Sequence, residues 1–307
     1  MLKRKKRLDK KLLFYCGLLA LPLLQYAIFY IYVNFNAFFL AFTKYDSLTG
    51  QSSFAGFENF KTVWHNFFIG NSSYHFGLRL KNSLINYTCS ILVGVGGSIL
   101  FSYYIYKKQW GGGFFKVILF LPTVIPGIAL STIYRLLING GFRSLYNSLT
   151  GKSVMFLMGG GAESTTFTMV LLYNLFFGFA TQVLMYLGAM NKINPSITEA
   201  AKLDGASYMR ELLSITIPCI YGTVVTFVVV GLTGIFTADM GLYSFFGENA
   251  VAESQTLGYY LLRETRVAGT NRAEFPEISA IGMLFTVVVA PISIMLKRFL
   301  DKKDPMN

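Results

Sequence analysis

The chain has 307 residues, of which 53% are hydrophobic and 14% charged; a typical soluble domain carries about 25% charged residues. Too few charges remain to coat one or two soluble domains, and the composition also excludes a disordered, collagen-like or disulfide-scaffold chain. The net charge of +12 fits basic segments that flank membrane spans beside anionic lipid, so it requires no nucleic acid partner.

The first eleven residues, MLKRKKRLDKK, form a basic N-terminus. A charge-free run over 12–43 follows. It is far too long for the apolar core of a signal peptide, so an uncleaved first helix is expected over about 12–42. Further charge-free apolar runs occupy 82–106, 117–134, 164–191, 212–238 and 278–296. A helix that crosses the hydrocarbon needs about 20 residues, and a charge at its centre costs roughly 2.5–3.5 kcal/mol. An all-α membrane protein with six transmembrane helices is therefore expected. The spans fall over about 12–42, 82–106, 114–137, 165–190, 214–238 and 277–297, in a membrane domain 12–298 with a tail 299–307. The run 62–78 contains His65, Asn66 and His75; it is too polar to span and reads as a loop.

The segments 1–11, 107–116, 192–211 and 297–307 carry 17 Lys and Arg, against 10 in 44–81, 135–163 and 239–277. The positive-inside rule puts both termini in the cytoplasm of a multi-pass cell-membrane protein. Cys16, Cys89 and Cys219 read as small buried hydrophobes rather than as a disulfide or zinc framework.

In the second span Ser90, Gly94, Ser98 and Ser102 recur at i, i+4, a face suited to close helix packing. In the third, Pro122 and Pro126 are expected to kink the helix. The spans hold no Asp, Glu, Lys or Arg away from their edges, which disfavours proton coupling within the chain. Asn174 and Gln182 in the fourth span either line a pathway or bond across helices. Tyr173, Asn174 and Phe177 sit close together on that helix and could meet a neutral solute. No nucleophile–base spacing, carboxylate pair or metal-ligand cluster stands out, so neither catalytic nor metal residues are assigned.

The cytoplasmic loop 191–217 is unusually rich in local signals. Asn194 is suited to cap a helix whose first residue is Pro195. Gly205 can take the left-handed conformation that ends it, and Ser207 can cap a second short helix toward Pro218. Two short helices meeting at a glycine make a docking knob.

Glu199-Ala200-Ala201-x3-Gly205-x9-Ile215-x-Ile217-Pro218 resembles the EAA loop of binding-protein-dependent ABC importer permeases, with Ile217 where Leu is usual. Leu203-Asp204-Gly205-Ala206-Ser207 resembles the carbohydrate branch of that family. So do Leu21-Pro22, the segment Phe54-Ala55-Gly56-Phe57-Glu58-Asn59-Phe60, Asn82-Ser83-Leu84 and Phe120-Leu121-Pro122. The likeness weakens at Phe245–Ala250, where sugar permeases often carry L-T-x-G-G-P.

The resemblance implies a type I permease subunit for import of a sugar or oligosaccharide. Its implied partners are a second homologous permease, two ATP-binding cassette subunits and an extracytoplasmic solute-binding protein. ATP and Mg would sit on the ATPase, with no cofactor on this chain. Glu199, Ala200, Ala201, Asp204 and Gly205 would couple to that ATPase. Two rival classes are an ion-coupled secondary carrier, which would need intramembrane ionisable groups, and a membrane-embedded enzyme, for which His65 and His75 are thin support.

Overall fold

A computed structural model describes residues 10–47, 49–69, 75–151, 156–157, 165–270 and 272–305. Most of the basic N-terminus, and the stretches 70–74, 152–155 and 158–164, lie outside the described residues. The chain forms two compact units, residues 1–65 with 268–284, and residues 66–267 with 285–307.

Among the described residues, five helices are long and apolar enough to cross a membrane: Phe14–Leu40, Phe76–Tyr106, Thr165–Met190, Tyr221–Phe246 and Phe275–Asp301. A sixth run, Gly112–Val124 with Gly127–Thr150, is bent by 106°. The span expected over 114–137 is thus two limbs. The break has a local cause. Ile125 precedes Pro126 and takes extended angles, φ −82° and ψ 132°, because the proline ring crowds the helical conformation of the residue before it. Pro122 stays inside the helix Gly112–Val124, so the break falls at Pro126.

In the first unit the helix ending at Leu40 is followed by an antiparallel hairpin of β1 (Thr43–Tyr45) and β2 (Ser52–Phe54), with Thr43 opposite Phe54. The helix Glu58–Phe68 follows, so the stretch from 62 to 68, read as loop, is helical. Its first turns explain the aromatic-glycine-asparagine segment. Gly56 takes φ +58°, which turns the chain, and Phe42, Phe57 and Phe60 cluster. The Asn59 amide then donates to the carbonyls of Ala41 and Thr43 at 2.8 and 2.7 Å. Those carbonyls stand just past the helix end, where intrahelical donors run out. Asn59→Ala is expected to cost about 1–3 kcal/mol, read as a lower unfolding midpoint of the detergent-purified chain.

Among the described residues, the second unit holds two apolar cores. One contains Val170, Tyr173, Met240, Leu242, Phe245 and Tyr259. The other contains Val95, Ile99, Tyr186, Met190, Leu212 and Ile220. The helix Thr165–Met190 serves both. Its buried residues Thr166, Val170, Tyr173, Ala180, Val183, Tyr186, Leu187 and Met190 recur mostly at steps of three, four and seven residues, one stripe of a helix. The second span packs on it through the small-residue face. Ser98 Oγ reaches the Phe179 carbonyl at 3.4 Å and Gln182 Oε1 at 3.5 Å, and Ser102 Oγ donates to the Val183 carbonyl at 2.8 Å. A Cβ on Gly97 would stand 2.9 Å from the Phe179 ring, which shows how closely the two helices approach.

The cysteines differ from expectation. Cys16 is exposed, while Cys89 and Cys219 are half-buried, and all three are free. Exposure at Cys16 belongs to a helix whose described side chains from Phe14 to Phe39 are all exposed in the single chain. An apolar helix surface of this kind meets lipid or another membrane subunit.

Candidate functional site

The loop between the fourth and fifth spans is built as its residues dictate. The Asn194 side chain accepts a hydrogen bond from the Ser196 amide at 3.1 Å, and Pro195 opens the helix Pro195–Leu203. The helix ends at Gly205, with φ +71°. The Gly205 amide donates to the Lys202 carbonyl at 3.1 Å and the Ala206 amide to the Ala201 carbonyl at 3.0 Å, the paired bonds of a Schellman end. Ser207 then caps Tyr208–Glu211 by accepting from the Arg210 amide at 3.4 Å. From Leu212 the chain continues as a π-turn to Thr216 and on through Ile217–Cys219.

The hairpin has two sides. Ala201, Glu211, Leu212 and Thr216 are buried, and Leu212 and Ile217 pack with the Tyr186–Met190 end of the fourth span. Glu199, Ala200, Asp204 and Gly205 are exposed. Around them stand exposed apolar side chains, Ile197, Tyr208, Met209, Leu213 and above all Leu203, which is 90% exposed. Apolar knobs within a charged rim are a surface of the kind found at protein or membrane contact sites.

Three groups bind the hairpin to the second span. Glu211 forms an ion pair with Lys107, both almost fully buried. The Tyr103 hydroxyl donates to the Tyr208 carbonyl at 3.1 Å. Lys107 Nζ also lies 5.6 Å from the centre of the Tyr103 ring, within cation–π range. Lys107 and Glu211 escaped the sequence reading because they are 104 positions apart, and no local pattern links them.

The residues proposed for a solute pathway are placed as follows. The Asn174 amide donates to Asn86 Oδ1 at 2.8 Å, joining the fourth and second spans. Gln182 meets Ser98 on the same pair of helices. Tyr173 is buried and lies against Tyr134, Phe177 and Phe245, with ring centres 5.2, 4.8 and 4.8 Å away. Phe177 is half-buried beside it. Asn174, Tyr173 and Phe177 therefore come together on one stretch of helix, and Gln182 stands two turns further along.

At the other end of the second span a polar group was not foreseen. Arg79 is buried, donates through Nε to Gln255 Oε1 at 3.0 Å and lies 4.1 Å from the Tyr260 ring centre. The Asn82 amide donates to the carbonyls of Glu253 and Gln255 at 2.8 and 2.9 Å. Ser83 Oγ accepts from the Leu257 amide at 3.0 Å. The Asn82-Ser83 pair thus fixes the loop that precedes the helix Leu257–Val267. From that helix the Tyr259 hydroxyl donates to the Gly247 carbonyl of the loop at 2.8 Å and accepts from the Ala250 amide at 3.1 Å. Burial pushes the Tyr259 phenol above its ordinary pKa, so it stays protonated and able to donate.

The bundle of apolar helices and the capped hairpin between two of them fit a membrane transport subunit. Residues 91–305 match the model of the family described as binding-protein-dependent transport system inner membrane component. The chain belongs to that family and is the inner-membrane permease component of an ABC-type importer. It is similar to the multiple sugar-binding transport system permease protein MsmF of Streptococcus mutans, 23% identical over 90% of this chain and 91% of that one. The arabinooligosaccharides transport system permease protein AraP of Bacillus subtilis is 24% identical over 89% and 83%. The fold is similar to a chain of a bacterial alginate ABC transporter crystallised with an alginate pentasaccharide-bound periplasmic protein. The TM-score there is 0.72, with 20% identity and 96% of each chain covered.

Proposed function

We propose that this chain imports a neutral saccharide as one half of a permease pair. It would work with a second homologous permease, two ATP-binding cassette subunits and an extracytoplasmic solute-binding protein. The observation that carries the coupling role is the hairpin 194–217, capped at both helices and held from behind by Lys107 and Tyr103, with Glu199 and Leu203 turned outward. ATP-driven closure of the ATPase pair would push on this surface and switch the bundle between inward-facing and outward-facing states. Glu199→Lys should weaken ATPase binding by charge reversal while the chain still inserts.

The relatives whose names mention multiple sugars and arabinooligosaccharides support a saccharide. The neutral choice rests on the absence of Asp, Glu, Lys and Arg from the middle of the spans, because a charged solute there would meet no compensating charge. We place Asn174, with Phe177 and Gln182, at the pathway, and Tyr173 behind Phe177 as its support. Asn174→Leu keeps the bulk and removes the bond to Asn86. Uptake of a labelled neutral oligosaccharide by the reconstituted complex should fall at least fivefold, at unchanged complex yield. Full uptake by the variant takes Asn174 off the pathway. Preferential uptake of a uronate oligosaccharide overturns the neutral reading.

Orientation is tested with Ser196→Cys in a chain freed of Cys16, Cys89 and Cys219. An impermeant thiol reagent should label it only in inverted vesicles. Labelling in intact cells would reverse the topology.

A further inference from the structure

We infer that the second span, Phe76–Tyr106, is the strut that carries movement between the docking hairpin and the loop 247–257, and that Lys107 and Glu211 are the positioning pair at its inner end. This rests on the reading of 194–217 as the ATPase-docking element. The helix runs 31 residues, with a π-helical stretch at Ser90–Val95 between its two α-helical limbs, roughly 45 Å at 1.5 Å per residue. Each end is locked to a different element by buried polar groups. At the inner end the Lys107–Glu211 ion pair and the Tyr103–Tyr208 bond hold the hairpin. At the other end Arg79 holds Gln255, Asn82 holds two loop carbonyls and Ser83 holds the Leu257 amide.

These are not general packing contacts. A buried charge or amide that loses its partner is far more costly than a lost apolar contact. During a cycle each lock is therefore favoured to stay closed, and the hairpin, the helix and the loop move together. The same helix meets the fourth span through hydroxyl bonds from Ser98, at 3.4 Å, and Ser102, at 2.8 Å, and through the Asn174–Asn86 bond, so the fourth span is carried with it. A push on the hairpin would then reach the far loop through one helix. The docking knobs Leu203 and Glu199 are on the exposed side of the hairpin, away from the lock, so the lock can be altered without touching the docking surface.

The test uses the whole complex, with its ATPase and its binding protein, in proteoliposomes. ATP hydrolysis is measured with and without solute-loaded binding protein. Glu211→Gln and Asn82→Leu, one at each end, are each expected to cut the stimulated-to-basal ratio at least fivefold. The ATPase should still co-purify in wild-type amount, and basal hydrolysis should stay within twofold. A third variant, Lys107→Cys with Glu211→Cys in the cysteine-free chain, guards against a mere folding defect. It should be uncoupled when reduced and recover at least half of the ratio once bridged by a short bis-thiol cross-linker. A normal ratio in either single variant, or arrest of the cycle by the cross-link, overturns the strut. Absence of any ATPase from the wild-type complex would instead remove the docking reading beneath it.

Discussion

Gly258→Ala is expected to lower the amount of folded permease in the membrane several-fold. A Cβ at that position would stand 2.4 Å from the Thr237 carbonyl carbon and 2.5 Å from the Ala238 amide nitrogen. Both are backbone atoms, so no rotamer change relieves the clash. The helix starting at Leu257 is also tied there by Thr256, whose hydroxyl donates to the Ala238 carbonyl at 2.7 Å. The two segments cannot separate without breaking that buried bond and displacing Tyr259. Overpacking of this kind costs about 3 kcal/mol, a large share of the stability of most domains. Gly222→Ala is the internal control, because its Cβ would meet nothing within 4 Å and alanine favours the helix. Abundance by immunoblot and thermal aggregation in detergent check both, and a Gly258→Ala chain with wild-type abundance and melting would show that the approach is not tight.

Gly205→Val should abolish most ATPase association while the permease still accumulates. The residue sits at φ +71°, where a β-branched side chain is strongly disfavoured. Relief would require unwinding the Schellman end, and so moving Asp204 and the exposed Leu203 out of place. The rest of the hairpin keeps its anchors, since Leu212 and Ile220 stay in the apolar core and Glu211 keeps Lys107. Co-purified ATPase should fall about tenfold or more. Gly205→Asn should retain most of it, because asparagine tolerates the left-handed region. Equal loss in Asn and Val variants would place the defect elsewhere than in backbone strain.

Local signals in the sequence carried much of this structure. Asn194, Pro195, Gly205 and Ser207 act as caps and stops within a few residues of themselves, and each does so in the fold. The stripe of Ser90, Gly94, Ser98 and Ser102 announced a close helix contact, and Ser98 and Ser102 make it with the fourth span. Charge-free runs overlap the five long apolar helices and the bent pair among the described residues, because lipid penalises charge wherever it falls along a span.

The third span shows where run length fails. Residues 117–134 are uniformly apolar, yet Pro126 divides them, and hydropathy does not register a backbone conformation. The helix Glu58–Phe68 was missed for the opposite reason. It is too polar for a span, but its apolar residues, including the buried Val63, fall on one face of an ordinary amphipathic helix. Long-range pairs were invisible. Arg79 with Gln255 and Lys107 with Glu211 are joined only by the fold, and composition placed these charges merely at span edges. The close approach at Gly258 left no trace either, since a glycine in sequence does not reveal what lies against it.

Energy coupling through the hairpin is tested most directly by reconstitution. The chain is reconstituted into liposomes with its partner permease and its ATPase, the binding protein is added on the solute-delivering side, and labelled saccharide uptake is followed. Uptake should require ATP on the hairpin side and should be unchanged when ionophores collapse the proton and sodium gradients. Uptake by this chain alone, driven by an ion gradient without ATPase or binding protein, would contradict it.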